Sequence, residues 1–215
     1  ALVCAGLSIL LGFLWLFIEF GDIKFYAMLG VALGLWIVLF TLLETRNIWK
    51  KLNKLTISHI AMMLGHVGLA FVIAGVGLTS QYSVERDVKM FAGDSAELAG
   101  YDFKFERVKN ITGPNYEGWA ALLVVAKGQQ EISTLLAEKR FYPVQRNTMT
   151  EAAIDDGFFR DICISLGEQL PDGSWGLRLY VKPYVRWLWL GGIIIALGGF
   201  ITLIDKRYRR SKRVS

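Results

Sequence analysis

Four apolar stretches, at roughly 2–20, 25–44, 57–79 and 184–204, dominate this chain of 215 residues. Each is long enough to cross a bilayer core of ~30 Å, which takes about 20 helical residues. In hydrocarbon a single span must satisfy its own backbone N–H and C=O groups, so these stretches predict helices. The first run, ALVCAGLSILLGFLWLFIEF, lacks the basic start and the small-residue cleavage site of a secretion signal, and reads as a membrane helix. It opens on Ala1 rather than Met, so we expect the chain to be a piece of something longer.

Charge orders these helices across the membrane. Arg46, Lys50, Lys51 and Lys54 follow the second stretch, and Lys206, Arg207, Arg209, Arg210, Lys212 and Arg213 follow the fourth. These two segments hold ten of the 24 Lys and Arg residues, and the excess of positive charge on cytoplasmic loops places both inside. Helices three and four then carry residues 80–183 to the outer side and back. The net charge of +5 is mostly juxtamembrane: residues 80–184 carry 12 basic and 15 acidic side chains. Both basic segments abut membrane spans, which argues against nucleic-acid binding. Trp187 and Trp189, after Tyr180 and Tyr184, predict an aromatic belt at the outer interface. Arg186 among them snorkels to that interface or faces an anionic ligand there.

Residues 80–183 read as a small all-β domain inserted between two helices. YDFKFERV (101–108) and RDICISLGE (160–168) alternate with period two, the pattern of half-buried strands. WAALLVVAK (119–127) and EISTLLAEKRFY (131–142) flank a turn at KGQQ, and PDGSWG leads into WGLRLYVKP (175–183), so two hairpins are expected. With GPN (113–115) and DDG (155–157) as turns, five or six strands result. The block has no histidine, one cysteine, and no GxSxG, HExxH, P-loop or GxGxxG motif. Glu151, Asp155 and Asp156 could pair as acid and base, though acidic turns are common; the block reads as a binding or positioning module. Cys4 and Cys163, in different blocks, read as buried small apolar residues.

Both histidines, His59 and His66, lie in the third apolar stretch, seven positions apart and so on one helical face. Counted from residue 55, His66 lies roughly 16 Å deep, near the midplane, while His59 is within two turns of the cytoplasmic edge. Interfacial polarity accounts for His59. For His66 the residues leave two readings open: an interhelical hydrogen bond, or axial ligation of haem by a neutral imidazole. Met62 and Met63, beside that face, read as ordinary filler.

The strings GHVGLAFVIAGVGLTSQYSVERDVKM, GPNYEG, AEKRFYPVQRNTMTEAAID, RDICISLGEQL and RLYVKPYVRWLWLGG occur in this order. In them the chain resembles the C-terminal part of the CcmF/NrfE family, membrane subunits of the cytochrome c maturation haem lyase. The resemblance covers about residues 55 to 207. It implies cytochrome c-type biogenesis in the bacterial inner membrane: haem arrives from the periplasmic chaperone CcmE and is attached to the CxxCH thiols of apocytochrome c, with CcmH or CcmI partners. A membrane-anchored β-domain scaffold that never touches haem is the alternative. GHVG (65–68) matches the family's small–His–aliphatic–Gly string. It gives His66 the role of axial ligand to the iron of the transferred haem, with Gly65 and Gly68 allowing close approach of the macrocycle or of a neighbouring helix. The family's tryptophan-rich outer loop and further histidines are not in this sequence. The resemblance therefore implies that the rest of the site, the second axial ligand included, belongs to the remainder of a parent CcmF or to a split-gene partner, and that lyase activity needs that remainder.

Overall fold

The computed structural model describes residues 2–204, so the basic tail expected at 206–215 lies outside the described residues. The chain forms two compact units: a helical unit, and a β unit at Ser83–Pro183.

The helical unit holds α1 (Leu2–Phe20), α2 (Phe25–Leu52), α3 (Ile57–Tyr82) and α4 (Val185–Ile204). All four are long and apolar enough to cross a membrane. Large side chains such as Leu2, Ile18 and Phe200 remain exposed on them, which is unremarkable where lipid is the solvent. Two helix ends differ from the sequence reading. α2 runs eight residues past 44, through Arg46, Lys50 and Lys51, and stops where Asn53 takes a left-handed cap (φ 49°) whose N–H donates to Trp49 O at 2.8 Å. The apolar run marks where lipid contact ends, not where helical hydrogen bonding ends, and the basic residues in the last turn suit the helix dipole. α3 likewise runs three residues past 79, through Ser80 and Gln81 to Tyr82.

Small residues bring these helices together, as expected where there is no hydrophobic force between spans. On α2, Gly30 faces the backbone of Ile73 and Gly77, and Gly34 faces Ala70 O. On the α3–α4 side, Gly68 meets Gly191 and Gly198 meets Ala61 O. The loop between α1 and α2 is tied to the end of α3: Lys24 Nζ donates to Gln81 O at 2.6 Å and the Tyr82 hydroxyl to Asp22 O at 2.9 Å.

The aromatic belt is only partly as expected. Tyr184 is 3% exposed and packs inward with Leu16, Leu78 and Tyr82, and its hydroxyl donates to Glu19 Oε1 at 3.2 Å. Trp187 stacks parallel to Trp15 at 6.2 Å. Trp189 alone, 74% exposed, keeps the outward position of a belt residue, and Tyr180 lies on a strand of the β unit. A helix that turns one apolar face to its neighbours places aromatics inward or outward by angle, which composition cannot specify.

The β unit is a sandwich of two antiparallel sheets, in the orders β1-β9-β8-β7 and β2-β3-β4-β5-β6. The strands seen in the sequence are β3 (Tyr101–Thr112), β4 (Glu117–Lys127), β5 (Gln130–Tyr142), β8 (Arg160–Gln169) and β9 (Trp175–Pro183), with both expected hairpins. Four more were not expected: β1 (Val84–Met90), β2 (Ser95–Leu98), β6 (Asn147–Glu151) and β7 (Ala153–Asp156). All four are sheet edges that add at most one buried side chain each to the core, Met90, Leu98 and Ala153 among them; β6 is exposed at all five positions. Asp155 and Asp156, read as a turn, belong to β7, and the turn falls at 157–159. At Ala152 the chain passes from one sheet to the other. The core between the sheets includes Phe103, Phe105, Leu123, Val125, Ile162, Ile164, Leu166 and Leu179. A cross-sheet ion pair joins Lys139, only 8% exposed on β5, to Glu168 on β8.

Two exposed carboxylates, Asp87 on β1 and Asp172 in the turn before β9, have lowered pKa values. Hydrogen bonding by Lys89, and then by Ser174, holds Asp172 at about 2, down from 3.8. A hydrogen bond from Arg178 likewise lowers Asp87. A carboxylate lowered on folding stabilises the fold above its unfolded value and loses that contribution as pH falls through its folded value. The urea midpoint of the β unit is therefore expected to be flat from neutral pH to about 5 and to fall between about 4 and 2. Asp172→Asn should shrink that fall, as followed by fluorescence titration.

Candidate functional site

Polar groups are scarce inside the helical unit, which makes one pair conspicuous. Thr41 of α2 is 2% exposed. Its hydroxyl donates back to Ile37 O at 2.7 Å and stands 3.2 Å from His66 Nδ1 on α3. This reach requires α2 and α3 to lie close, and Gly30 and Gly34 provide the approach. Gly30, Gly34 and Thr41 are spaced four and seven apart, so they share one face of α2. The reading of the sequence missed Thr41, and that spacing is the signal that could have found it. Its bond to Thr41 is the one hydrogen bond of the His66 side chain among the described residues. Nε2 is not among the buried unpaired atoms, so it opens to the surface of the helical unit.

His59 has a different task. Thr56 precedes the first residue of α3, and its hydroxyl accepts from the His59 backbone N–H at 3.4 Å and lies against His59 Nδ1. The Thr56 hydroxyl thus caps the helix N-terminus, and the ring of the third helical residue lies against that same hydroxyl. His66 lies nine residues into α3, and about 24 Å along the axis from Tyr82, the end that leads into the β unit.

The other expected site residues divide by position. A Cβ on Gly65 would meet nothing within 4 Å, so that position faces open space. A Cβ on Gly68 would lie 2.6 Å from Gly191 O, so its close approach is to α4. Arg186 is exposed in the first turn of α4. Gly68 packs on Gly191 and Gly75 on Leu188 and Trp187, a register that sets Arg186 about 15 Å along the helix axis from the level of His66. The structure does not bring the two together.

In the β unit the acidic residues considered for catalysis are engaged elsewhere. Asp155 pairs with Arg160, and Glu151 lies 3.6 Å from Arg140. Burial raises the Cys163 thiol pKa above its ordinary value, which disfavours the reactive thiolate. Among the described residues no three His, Cys, Asp or Glu side chains converge on a metal-ion position.

Four apolar helices with an antiparallel β-sandwich between the third and fourth define a multi-pass membrane protein with an inserted β domain. Residues 81–183 match the family described as the CcmF C-terminal beta-sandwich. The chain belongs to the CcmF family and corresponds to its C-terminal part. It is 42% identical over 214 residues to the cytochrome c-type biogenesis protein CcmF of Haemophilus influenzae, an alignment covering 96% of this chain and 33% of that protein. It is 45% identical over 203 residues to the CcmF of Escherichia coli, covering 94% of this chain and 30% of that one. The chain thus spans about a third of the length of these relatives. A solved structure titled "Cytochrome c Heme Lyase CcmF" has the same fold, with a TM-score of 0.77 at 18% identity over 95% of this chain and 34% of that one.

Proposed function

We propose that this chain is the part of a CcmF-type haem lyase subunit that holds haem in the membrane, with His66 as an axial ligand. The observation that carries the reading is the state of His66: a histidine within an apolar helix, oriented by Thr41 through Nδ1, with Nε2 unengaged and open space beside Gly65. These features suit an axial imidazole, which binds iron as the neutral ring. His59, about 10 Å along the same helix, cannot reach the opposite face of the same iron. The second axial ligand therefore comes from another part of the full-length protein or from a partner chain. Haem is the substrate of this system: it is received from CcmE and joined to the CxxCH thiols of apocytochrome c, with CcmH- or CcmI-type subunits completing the complex.

The depth of His66 supports a haem held among the helices rather than at the membrane surface. The β-sandwich serves as a periplasmic platform for partner proteins. The positive-inside pattern supports that side, with the C-terminus in the cytoplasm of a bacterial inner-membrane protein.

The test is a pair of substitutions in a full-length CcmF protein carrying this region. His66→Ala should reduce the haem absorption of the purified protein and the yield of mature cytochrome c to background, with the protein still inserted. Imidazole added to His66→Gly should restore part of the absorption. His59→Ala should retain both. Unchanged haem content in His66→Ala would overturn the reading.

A further inference from the structure

We propose that Thr41 is a positioning residue for His66: it holds the imidazole as the Nδ1–H tautomer and so leaves the Nε2 lone pair directed at the ligand. The ligand side of this rests on the haem reading above; the tautomer does not.

The argument begins with the Thr41 hydroxyl, which carries one hydrogen and accepts through its lone pairs. Its two neighbours lie at different distances. Ile37 O, at 2.7 Å, is at the usual separation for O–H···O, while His66 Nδ1, at 3.2 Å, lies in the range of N–H···O. The hydroxyl therefore donates to Ile37 O, one turn back on its own helix, and accepts from His66 Nδ1–H. A neutral imidazole has one N–H, so Nε2 must bear the lone pair. An unconstrained histidine favours the opposite tautomer, in which Nε2 carries the hydrogen and has no lone pair to offer a metal ion.

Helix packing makes this arrangement specific. Gly34 faces Ala70 O and Gly30 faces Gly77, so α2 and α3 approach closely enough for a side chain as short as threonine to reach the ring. Thr41 is buried, so water does not compete for Nδ1. Metal-binding histidines commonly donate their other N–H to a neighbouring acceptor, which fixes ring orientation, and losing that acceptor typically costs about 10- to 100-fold in affinity. Here the acceptor is a hydroxyl that can only accept, because its own hydrogen is committed along the helix.

The first test needs no haem. The chain is labelled with 15N-histidine in detergent and its two- and three-bond 15N–1H correlations are recorded; with two histidines in the sequence, His59→Gln assigns the spectrum. His66 should show the Nδ1–H pattern in the wild type and in Thr41→Ser, and the Nε2–H pattern in Thr41→Val. A wild-type Nε2–H pattern, or no change in Thr41→Val, overturns the proposal whether or not the protein binds haem. In the full-length protein, Thr41→Val should weaken haem retention by about 10- to 100-fold and alter the haem absorption spectrum, with Thr41→Ser restoring both. A tautomer switch without change in haem affinity or spectrum overturns the positioning role. Haem content that survives His66→Ala shows instead that the haem reading has failed. Unchanged far-ultraviolet circular dichroism separates these outcomes from loss of fold.

Discussion

Gly68→Leu is expected to separate α3 from α4. Even the first added carbon would sit 2.6 Å from Gly191 O, 2.7 Å from Ile195 Cγ1 and 2.9 Å from Ile195 N. Two of those atoms are backbone, which cannot rotate away, so the helices must move apart. Overpacking of this kind typically costs about 1–3 kcal/mol, and more where backbone has to shift. The gain in helix propensity on replacing glycine is at most about 1 kcal/mol and does not offset it. The crossing also depends on Gly75 and Gly198 further along, so the loss should spread through the pair. In detergent, Gly68→Leu should lose the single sharp elution peak and the cooperative melt of the parent chain. Gly65→Ala, three residues away with nothing within 4 Å of the new carbon, should keep both. A Gly68→Leu protein that melts with the parent would show that the α3–α4 contact is not held at this point.

Phe103→Ala is expected to unfold the isolated β unit at ambient temperature or bring it close to that point. Residues 83–183 contain the entire cluster between the two sheets, so the unit should fold without the helices. Phe103 is fully buried at the centre of that cluster. Removing such a ring typically costs about 3–5 kcal/mol in transfer and cavity terms. A domain of this size has about 5–15 kcal/mol of stability in total. Each kcal/mol shifts the melting temperature of a domain near 100 residues by about 4–8 °C, so a fall of 12 °C or more is expected in a thermal melt followed by circular dichroism. Val144→Ala, at a fully exposed turn position, should leave the melt in place. If Phe103→Ala melts within a few degrees of the wild type, the packing between the sheets is not as described.

The two substitutions probe different solvents. Water drives the sandwich together through apolar area, so bulk at position 103 is stabilising. Lipid offers no such force between helices, so close contact between small residues is what binds α3 to α4, and bulk at position 68 is destabilising.

The sequence alone determined the number and approximate placement of the helices, because a run of about 20 apolar residues has one structural solution in a membrane. It determined the central strands as well, since β3, β4, β5, β8 and β9 turn alternate residues into a buried core. It singled out His66, through an imidazole in an apolar run and the GHVG string that resembles the family's. Only the tertiary structure decided the edge strands, each of which buries at most one side chain in the core and is too short or too exposed for a local period to stand out. Only tertiary structure separated the two histidines by what they touch: His59 contacts Thr56 at the start of its own helix, whereas His66 contacts Thr41, 25 positions earlier in the chain. That separation depends on the register between α2 and α3, which Gly30 and Gly34 set by letting two backbones touch. The spacing of Gly30, Gly34 and Thr41 marks one face of α2, but which residues of α3 meet that face belongs to the pair.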